Sequence, residues 1–429
     1  MHVLHINATS HTGGAARAMR RLHSALVEKG HQSHFLVGRS IKPGDPQVHL
    51  IWEEIAPYKS LKNRIQSRIG NQFAKYYGIN PWANRPALRV AETALNDWAD
   101  ILDLRNLFGG YFNLWSLPHL SKNKPVVWRM PDLWAVTGHC AYPYDCPRWK
   151  TGCYNCPLLT KEGRRIVEPN PTILDGTRRI WRAKKRIYQQ SNIHIIVTTE
   201  WMRDQVMQSI LGKSLSINVI SNGVDLDVFN PVSKREARKL LGLNPDGKYL
   251  LWAAGGRGNR RKGYHLAVDA LEELQAKGEF DVTFLTMGGK EGWDKPDTLK
   301  RVKHFGYVRE AKQQSLIYSA ADTFLCTTLA DGQPQTALES IACGTPVIAF
   351  DIGPMPGIVV HGITGVIAPE LSANSLVSVI ENNLLVEDQL VNLREKCREF
   401  AAVHFDLHRQ TDQYVNLYEE ILQSKEYQR

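Results

Sequence analysis

TFLCTTLADGQPQTALESIACGTPVIAFD, residues 323–351, contains in one stretch the pattern that decides the fold of this chain. Two short apolar runs, at 323–328 and 345–351, lie on either side of a segment that reads as a helix. Two parallel strands need a long connection between them, which is usually a helix. The stretch therefore predicts a β-α-β unit with parallel strands.

The same alternation extends over most of the chain. Further short apolar runs, with helical patterns between them, lie at 3–7, 33–38, 100–104, 125–130, 194–199, 217–222, 249–255 and 282–288. A polar stretch rich in turn residues, 222–248, separates the first six runs from the last four and is interpreted as a link. We predict an α/β protein with two similar domains, each built on a doubly wound parallel sheet.

Length and composition are those of a folded globular protein. The 429 residues suffice for two or three domains, and 43% of them are hydrophobic. The sequence has neither the pattern of a secretion signal nor a run of about 18 apolar residues, so we expect a cytoplasmic protein. The net charge of +10, from 53 Lys and Arg against 43 Asp and Glu, favours anionic partners.

A glycine pair, Gly13 and Gly14, follows the first predicted strand and opens a helical pattern. Backbone amides and the positive end of a helix can approach a phosphate closely at such a position. A tight turn without a ligand is the alternative. Neither this segment nor the loop at 255–263 fits G-x-G-x-x-G or G-x-x-x-x-G-K-[ST], which argues against a dinucleotide oxidoreductase and a P-loop enzyme.

The loop at 255–263 concentrates cations between a predicted strand and a predicted helix. Its basic residues are Arg257, Arg260, Arg261 and Lys262. Doubly wound sheets bind ligands at the carboxyl ends of their strands, and several cations there suit a diphosphate. We favour this interpretation over a solvated run of charges.

Two carboxylates, Asp331 and Glu339, follow the predicted strand at 323–328 and have seven residues between them. They lie across a loop and the start of a helix, so both can face one crevice. Carboxylates accept hydrogen bonds from sugar and ribose hydroxyls. On their own, the two residues are equally well explained as a charge at a helix start and an ordinary surface glutamate.

Four segments, in order, resemble the signatures of family 4 retaining glycosyltransferases, which have the two-domain GT-B fold. They are NGVDLDVF (222–229), Arg257 with Lys262, GYV (306–308) and DGQPQTALESIACGTPVIA (331–349). The amino-terminal half, through 100–113 and 124–140, resembles a bacterial branch that assembles surface polysaccharides.

The resemblance implies two Rossmann-like domains that face a central cleft. We place the acceptor-side domain at 1–225, the nucleotide-sugar domain at 226–408, and a C-terminal helix that packs back toward the first domain at 409–429. The apolar positions of that helix, at 414, 417, 421 and 422, alternate with charges. The charges favour packing on a surface rather than in a core.

The resemblance also implies roles for individual residues. Arg257 and Lys262 would bind the donor diphosphate and stabilise its charge as the glycosidic bond breaks. Asp331 would lie near the transferred sugar, and Glu339 would hold the ribose hydroxyls. Backbone and small groups would complete the donor site: Gly13, Gly14, Tyr307, Val308 and Thr336.

The resemblance implies that anomeric configuration is retained without a divalent metal, by front-face attack in which the leaving phosphate helps to deprotonate the acceptor. No dedicated protein base is then required. A UDP-sugar is the default donor, and a glycan or a lipid-linked molecule is the expected acceptor.

This chain departs from its relatives in the amino-terminal half. Relatives commonly carry histidines in the segment that corresponds to 100–113, and a His-Asp pair where this chain has Pro131 and Asp132. Either Arg105, Asn106 or Asp132 takes over the donor contact of the missing histidine, or activity is altered or lost. A catalytically weakened nucleotide-sugar or glycan-binding protein of the same fold is therefore the alternative function.

The segment at 55–91 has seven basic residues and no acidic one, with apolar residues at four-residue spacing. A basic amphipathic helix of this kind can lie on an anionic membrane surface, here the inner face of the plasma membrane, or bind an anionic acceptor. The alternative is that its apolar stripe packs on its own domain. Basic and aromatic residues also suit nucleic acid, but paired carboxylates in the same cleft would repel phosphates. We expect no nucleic-acid partner.

Four of the seven cysteines lie within 17 residues, in a loop at 139–157: Cys140, Cys146, Cys153 and Cys156. Four soft ligands can form a closed tetrahedral zinc site that holds together a loop without its own core. One or two local disulfides, or reduced thiols without a ligand, fit the same spacing. A catalytic zinc is not expected, because four cysteines leave no open coordination position.

Overall fold

The computed structural model describes residues 1–11, 13–39, 44–55, 65, 69–70, 76, 86–166, 168, 172–211, 216–253, 260–278, 281–289, 298–384 and 387–424. The chain forms two compact units, Met1–Ser221 with His408–Arg429, and Asn222–Leu407. The division falls a few residues before the boundary expected from the sequence. The 222–248 stretch, expected as a link, belongs to the second unit, where Lys234 and Arg238 both pair with Asp322.

The first unit contains a seven-stranded parallel sheet in the order β3-β2-β1-β4-β5-β6-β7. Its strands are β1 (His2–Thr9), β2 (Gln32–Arg39), β3 (Val48–Leu50), β4 (Ile101–Leu104), β5 (Val126–Met130), β6 (His194–Val197) and β7 (Ile217–Val219). Its helices are α1 (Gly14–Glu28), α2 (Ile51–Glu54), α3 (Ala94–Trp98), α4 (Leu117–Asn123), α5 (Thr177–Gln189) and α6 (Glu200–Met207). The strand order runs outward in both directions from β1 and β4, which confirms a doubly wound sheet.

The second unit repeats this architecture with a six-stranded parallel sheet in the order β10-β9-β8-β11-β12-β13. Its strands are β8 (Lys248–Ala253), β9 (Val282–Met287), β10 (Val302–His304), β11 (Thr323–Cys326), β12 (Val347–Phe350) and β13 (Gly365–Ala368). Its helices are α7 (Lys234–Leu240), α8 (Tyr264–Lys277), α9 (Ala311–Ala320), α10 (Gln335–Ala342), α11 (Ala373–Leu384) and α12 (Glu387–His404). The β-α-β unit predicted at 323–351 is confirmed as β11, α10 and β12, with β11 and β12 paired in parallel.

All ten predicted apolar runs lie on strands, and three strands escaped prediction: β3, β10 and β13. Each of the three is an edge strand of three or four residues and is only partly buried. Central strands such as β5 and β11 are buried at every position. Strands covered on both faces carry continuous apolar runs, whereas short edge strands give a weaker signal, and of the four edge strands only β7 was predicted.

The C-terminal helix α13 (Leu407–Gln423) packs on the first unit, as predicted. The expectation that it stays out of a core is wrong, because Tyr414 and Tyr418 are fully buried in one apolar cluster with Val3 and Ile101. The Tyr418 hydroxyl also donates to Asp103 Oδ2 at 3.1 Å. The tyrosines and the charged residues lie on opposite faces of the helix, so a charged sequence still supplies a core face.

The part of the chain that the structure describes contains no helix that is both long enough and apolar enough to span a membrane.

Candidate functional site

The second sheet changes its winding direction between β8 and β11, and the loops after these two strands contain the predicted cations and the first predicted carboxylate. Arg261 and Lys262 lie in a short 3-10 turn, Arg260–Lys262, before α8. Asp331 follows β11. Loops that leave such a switch point in opposite directions open a crevice at the carboxyl ends of the strands, where doubly wound proteins bind ligands.

The structure brings Lys262 and Asp331 into direct contact. The Lys262 Nζ lies 2.6 Å from Asp331 Oδ2, and the Arg261 Nη1 lies 3.2 Å from the same oxygen. Burial of Asp331 favours its neutral acid, but the charges of Lys262 and Arg261 outweigh burial and lower the pKa of Asp331 below its usual value. The cluster therefore combines two cations with one ionised carboxylate.

Arg261 holds the two loops together. Its Nη1 donates to the carbonyl of Ala330 at 2.7 Å, and its own carbonyl accepts from the Leu329 amide at 2.6 Å. The side chain is only 7% exposed. Arg261 is thus a structural member of the cluster, whereas Lys262 is partly exposed.

Gly263 permits this close packing. Its φ is +66°, and a Cβ there would lie 1.8 Å from the carbonyl oxygen of Thr327. The hydroxyl of Thr327 in turn donates to the Gly263 carbonyl at 2.9 Å. Only glycine fits this position, which sequence reasoning did not single out although the residue directly follows Lys262.

We expect Arg261→Met to lower the free energy of unfolding by about 2 kcal/mol, because the partly buried carbonyl of Ala330 and the carboxylate of Asp331 both lose a charged donor. Chemical denaturation followed by circular dichroism measures this change. Arg260→Met is the matched control, since Arg260 is the exposed neighbour in the same turn. Equal stability of the two variants would contradict the bracing role of Arg261.

The second predicted carboxylate, Glu339, lies on α10 and is 1% exposed. Its Oε2 accepts a hydrogen bond of 3.2 Å from the hydroxyl of Tyr318, on α9. Thr336 lies in the first turn of the same helix and is partly exposed. Tyr318 was missed by sequence reasoning, because a tyrosine within a helix gives no signal of this role.

The segment predicted to meet the base follows the edge strand β10. Tyr307 is 58% exposed, whereas Val308 is buried and its carbonyl accepts from Gln314 Nε2 at 2.7 Å. The Gly306 carbonyl accepts from the Gly288 amide at 2.7 Å, which ties this loop to the end of β9. Because all strands of this sheet are parallel, the segment lies at the carboxyl ends of the strands, as do Lys262 and Asp331.

In the first unit, the predicted glycine pair lies where the sequence placed it. Gly13 has a φ of +89° and caps α1, which begins at Gly14. A Cβ built on either glycine meets no heavy atom within 4 Å. Among the described residues, nothing therefore crowds the Cα atoms of these two glycines at the start of α1.

The three candidates for the missing histidine have different surroundings. Arg105 is buried and paired with Asp103 Oδ2 at 2.5 Å, so its charge is already engaged. The backbone amide of Asn106 donates to the side-chain oxygen Oδ1 of Asn7 at 3.1 Å. Asp132 follows β5 and accepts from the Trp134 amide at 2.9 Å.

Some predicted features lie partly or wholly outside the described residues. Arg257 lies outside them, as does most of the basic segment at 55–91. Within that segment, Ile65 and Ile69 are 49% and 53% exposed, so these two residues of the apolar stripe are not packed away.

The four cysteines predicted as metal ligands are free thiols, as are the other three cysteines. The four cysteines predicted as ligands line one cavity. Within the described residues, no three His, Cys, Asp or Glu side chains are gathered closely enough to hold a metal ion.

Two Rossmann-like units in succession, the second with a cationic cluster at its switch point, are the architecture of GT-B glycosyltransferases. Family models for "Glycosyltransferase Family 4" and "Glycosyl transferases group 1" match residues 12–228 and 233–404. The chain belongs to glycosyltransferase family 4.

Relatives and solved structures agree with this assignment. The putative colanic acid biosynthesis glycosyl transferase WcaC of Escherichia coli K12 is 23% identical over 369 residues, which cover 81% of this chain and 83% of WcaC. Sucrose-phosphate synthase of Thermosynechococcus elongatus superimposes with a TM-score of 0.69 at 19% identity, over 98% of each chain. HepE of Anabaena, solved in complex with UDP, superimposes with a TM-score of 0.68 at 14% identity, over 98% of this chain and all of HepE.

Proposed function

We propose that this glycosyltransferase moves a sugar, with retention of configuration, from a nucleoside diphosphate donor to a glycan or lipid-linked acceptor in polysaccharide or glycolipid biosynthesis. The observation that carries the proposal is the cluster of Lys262, Arg261 and Asp331 at the switch point of the second sheet. It offers a net positive charge at the sheet edge where this architecture binds ligands.

Lys262 is the cation that meets the donor diphosphate. Its side chain is partly exposed and bound to one carboxylate oxygen, whereas Arg261 is buried and occupied by the Ala330 carbonyl. Negative charge develops on the phosphate oxygen as the bond to the sugar breaks. An ammonium already in place lowers the barrier of that step, and Arg257 adds a second positive charge.

The two carboxylates orient the donor sugar and the ribose. Glu339 is held by the Tyr318 hydroxyl, which fixes one of its oxygens and leaves the carboxylate capable of accepting hydroxyl protons. Asp331, already fixed by its two cations, lies next to Lys262 and therefore beside the transferred sugar. Backbone groups around Tyr307 and Val308 meet the base.

The reaction needs no dedicated protein base. The acceptor oxygen bonds to the anomeric carbon on the face that the phosphate leaves, while the carbon–oxygen bond to the phosphate breaks. The acceptor proton passes to the departing phosphate oxygen. Lys262 and Arg257 supply the positive charge, so no divalent cation takes part in the proposed mechanism.

The donor and the acceptor class rest on relatives. HepE is solved in complex with UDP, which supports a UDP-sugar as the default donor. WcaC is named for colanic acid biosynthesis, which supports a polysaccharide or its lipid-linked precursor as the acceptor.

The proposed function is tested by incubating the protein with a panel of UDP-, GDP- and ADP-sugars and measuring released nucleoside diphosphate by mass spectrometry. We expect slow release from one donor, with water in place of the acceptor. Proton NMR of the first-formed sugar should show the anomer of the donor. Release of the opposite anomer, or equal release by Lys262→Ala, would contradict the proposal.

A catalytically weakened nucleotide-sugar binder of the same fold is the second candidate. The buried Arg105 is paired with Asp103, so it is not available to replace the missing histidine as a contact to the donor sugar. This observation favours the binder. Nucleotide binding without release from any donor, even with an acceptor extract, would identify this binder.

We also propose peripheral contact with an anionic membrane through the basic segment at 55–91, because Ile65 and Ile69 are about half exposed there. The double variant Ile65→Asn, Ile69→Asn should bind anionic vesicles about 30-fold more weakly than the wild type, since each lost side chain removes about 1 kcal/mol of apolar burial. Vesicle sedimentation measures this, and Leu371→Asn, an exposed site on the second unit, is the control. Unchanged sedimentation of the double variant would overturn the contact.

A further inference from the structure

The cysteine-rich loop of the first unit has an unusual backbone. It lies between β5 and α5, and three of its residues that are not glycine have positive φ: Tyr144 (51°), Cys153 (46°) and Asn155 (46°). Its own small apolar cluster buries Cys140 and Leu158, and Trp149 anchors the loop in the main core of the unit. Left-handed conformations of this kind are maintained only when neighbouring interactions hold them.

The four cysteines of the loop line one cavity of about 20 Å³, together with His139, Trp149 and Leu158. That volume admits about one water-sized sphere, and a zinc ion with four sulfurs around it needs no more. The four sulfurs surround the cavity but are not gathered at ligand distance. A metal would draw them toward the centre, to about 2.3 Å.

Backbone amides already point at two of the sulfurs. The Gly138 amide donates to Cys153 Sγ at 3.1 Å, and backbone amides of Leu158 and Leu159 lower the pKa of Cys156 against the raising effect of its burial. Hydrogen bonds from amides stabilise a thiolate more than a neutral thiol. They also fix the direction of the ligand, as outer contacts of metal sites do.

Lys184 provides an independent observation. It is fully buried on α5, and its ammonium donates to the carbonyls of Trp134 and Thr137 and lies 3.7 Å from the centre of the Trp134 ring. Within the described residues it has no carboxylate at ion-pair distance, and burial lowers the pKa of Lys184 to about 7, against the opposing effects of Cys153, Cys140 and Asp132. Thiolates bound to a metal would add negative charge near this buried amine and favour its charged form.

We propose that Cys140, Cys146, Cys153 and Cys156 bind one structural zinc ion, with Lys184 as the buried counter-charge. Each thiol gives its proton to solvent as its sulfur bonds to zinc, so binding releases four protons. The tetrathiolate carries two negative charges, and the ammonium of Lys184 offsets one of them. The inference is independent of the proposed function, because four protein ligands leave no position for a substrate.

Cobalt is the probe for this site, because tetrahedral Co²⁺ with thiolate ligands absorbs visible light strongly. We expect the reduced, chelator-treated full chain to take up one Co²⁺ with this spectrum, and Zn²⁺ to abolish it. The double variant Cys153→Ser, Cys156→Ser should lose the spectrum, whereas Cys397→Ser, which removes a buried thiol on α12, should keep it.

Three results would overturn the zinc site, and two of them need no variant. The first is a folded, reduced wild type that takes up no Co²⁺, and the second is a non-reduced wild type whose mass shows two hydrogens lost per disulfide. The third is a double variant that keeps the cobalt spectrum. The first two remain decisive if the double variant fails to fold.

Lys184→Met tests the counter-charge. We expect its zinc affinity to fall at least about tenfold, as loss of an outer contact of a metal site does. Its chelator-treated form should also be less stable than the wild type, because the buried carbonyls of Trp134 and Thr137 lose their donor. Lys185→Met, at the exposed neighbouring position, is the control. Equal zinc affinity of the two variants would overturn the role of Lys184.

Discussion

Lys262→Ala is expected to lower kcat/KM for the sugar donor by about 1,000-fold, the loss that follows removal of one preorganised donor to a developing charge. The Lys262 Nζ contacts Asp331 at 2.6 Å at the switch point of the second sheet, where the diphosphate would bind. Without the ammonium, the departing phosphate keeps its developing charge, and Asp331 adds repulsion. Initial rates of nucleoside diphosphate release measure the change.

Lys277→Ala is the matched control for this prediction. Lys277 lies at the far end of α8 and pairs there with Glu273 and Glu381. Its removal should leave kcat/KM unchanged. A Lys262→Ala enzyme with the same rates as Lys277→Ala would place the donor diphosphate elsewhere.

Glu339→Gln is expected to raise the donor KM by about 100-fold, because a site built to accept two hydroxyl protons loses one ionised acceptor. Glutamine has the shape of glutamate, and its carbonyl oxygen still accepts from the Tyr318 hydroxyl, so the fold should persist. Circular dichroism and thermal unfolding check the fold. The dependence of the initial rate on donor concentration gives KM.

The control for Glu339→Gln is Glu395→Gln, an exposed glutamate on α12. It should leave the donor KM unaltered. If Glu339→Gln also keeps the wild-type KM, the ribose contact does not involve Glu339.

The sequence predicted the central strands of both sheets, and of the four edge strands it predicted only β7. β11 is buried at every position and appears as the apolar run TFLC, whereas β10 is a three-residue edge strand with an exposed lysine at its centre. Apolar runs follow burial, so short, partly buried edge strands are the hardest to find.

The candidate site was predicted in pieces. Lys262 and Asp331 were singled out, but only the pairing of β8 with β11 places their loops side by side. Arg261 and Arg260 are adjacent and identical in type, yet one is buried and the other exposed. No local pattern separates them, because the difference depends on a loop about 70 residues away in sequence.

Lys184 shows the same limit. It lies in TRRIWRAKKRIYQ, where five other cations point to solvent. Helical spacing shows which residues share a face, but the basic character of the whole helix conceals a single buried ammonium. Its pairing with a cysteine loop depends on tertiary packing.

The proposed function requires that the cationic cluster at the β8–β11 switch point bind a nucleoside diphosphate. Calorimetric titration of UDP, GDP and ADP into the wild type and into Lys262→Ala measures this binding. We expect micromolar binding of one nucleotide, with UDP as the default, and at least about tenfold weaker binding to Lys262→Ala, since one charge-assisted hydrogen bond contributes 1.5 kcal/mol or more. Absence of binding to a folded wild type, or equal affinity of the two proteins, would contradict it.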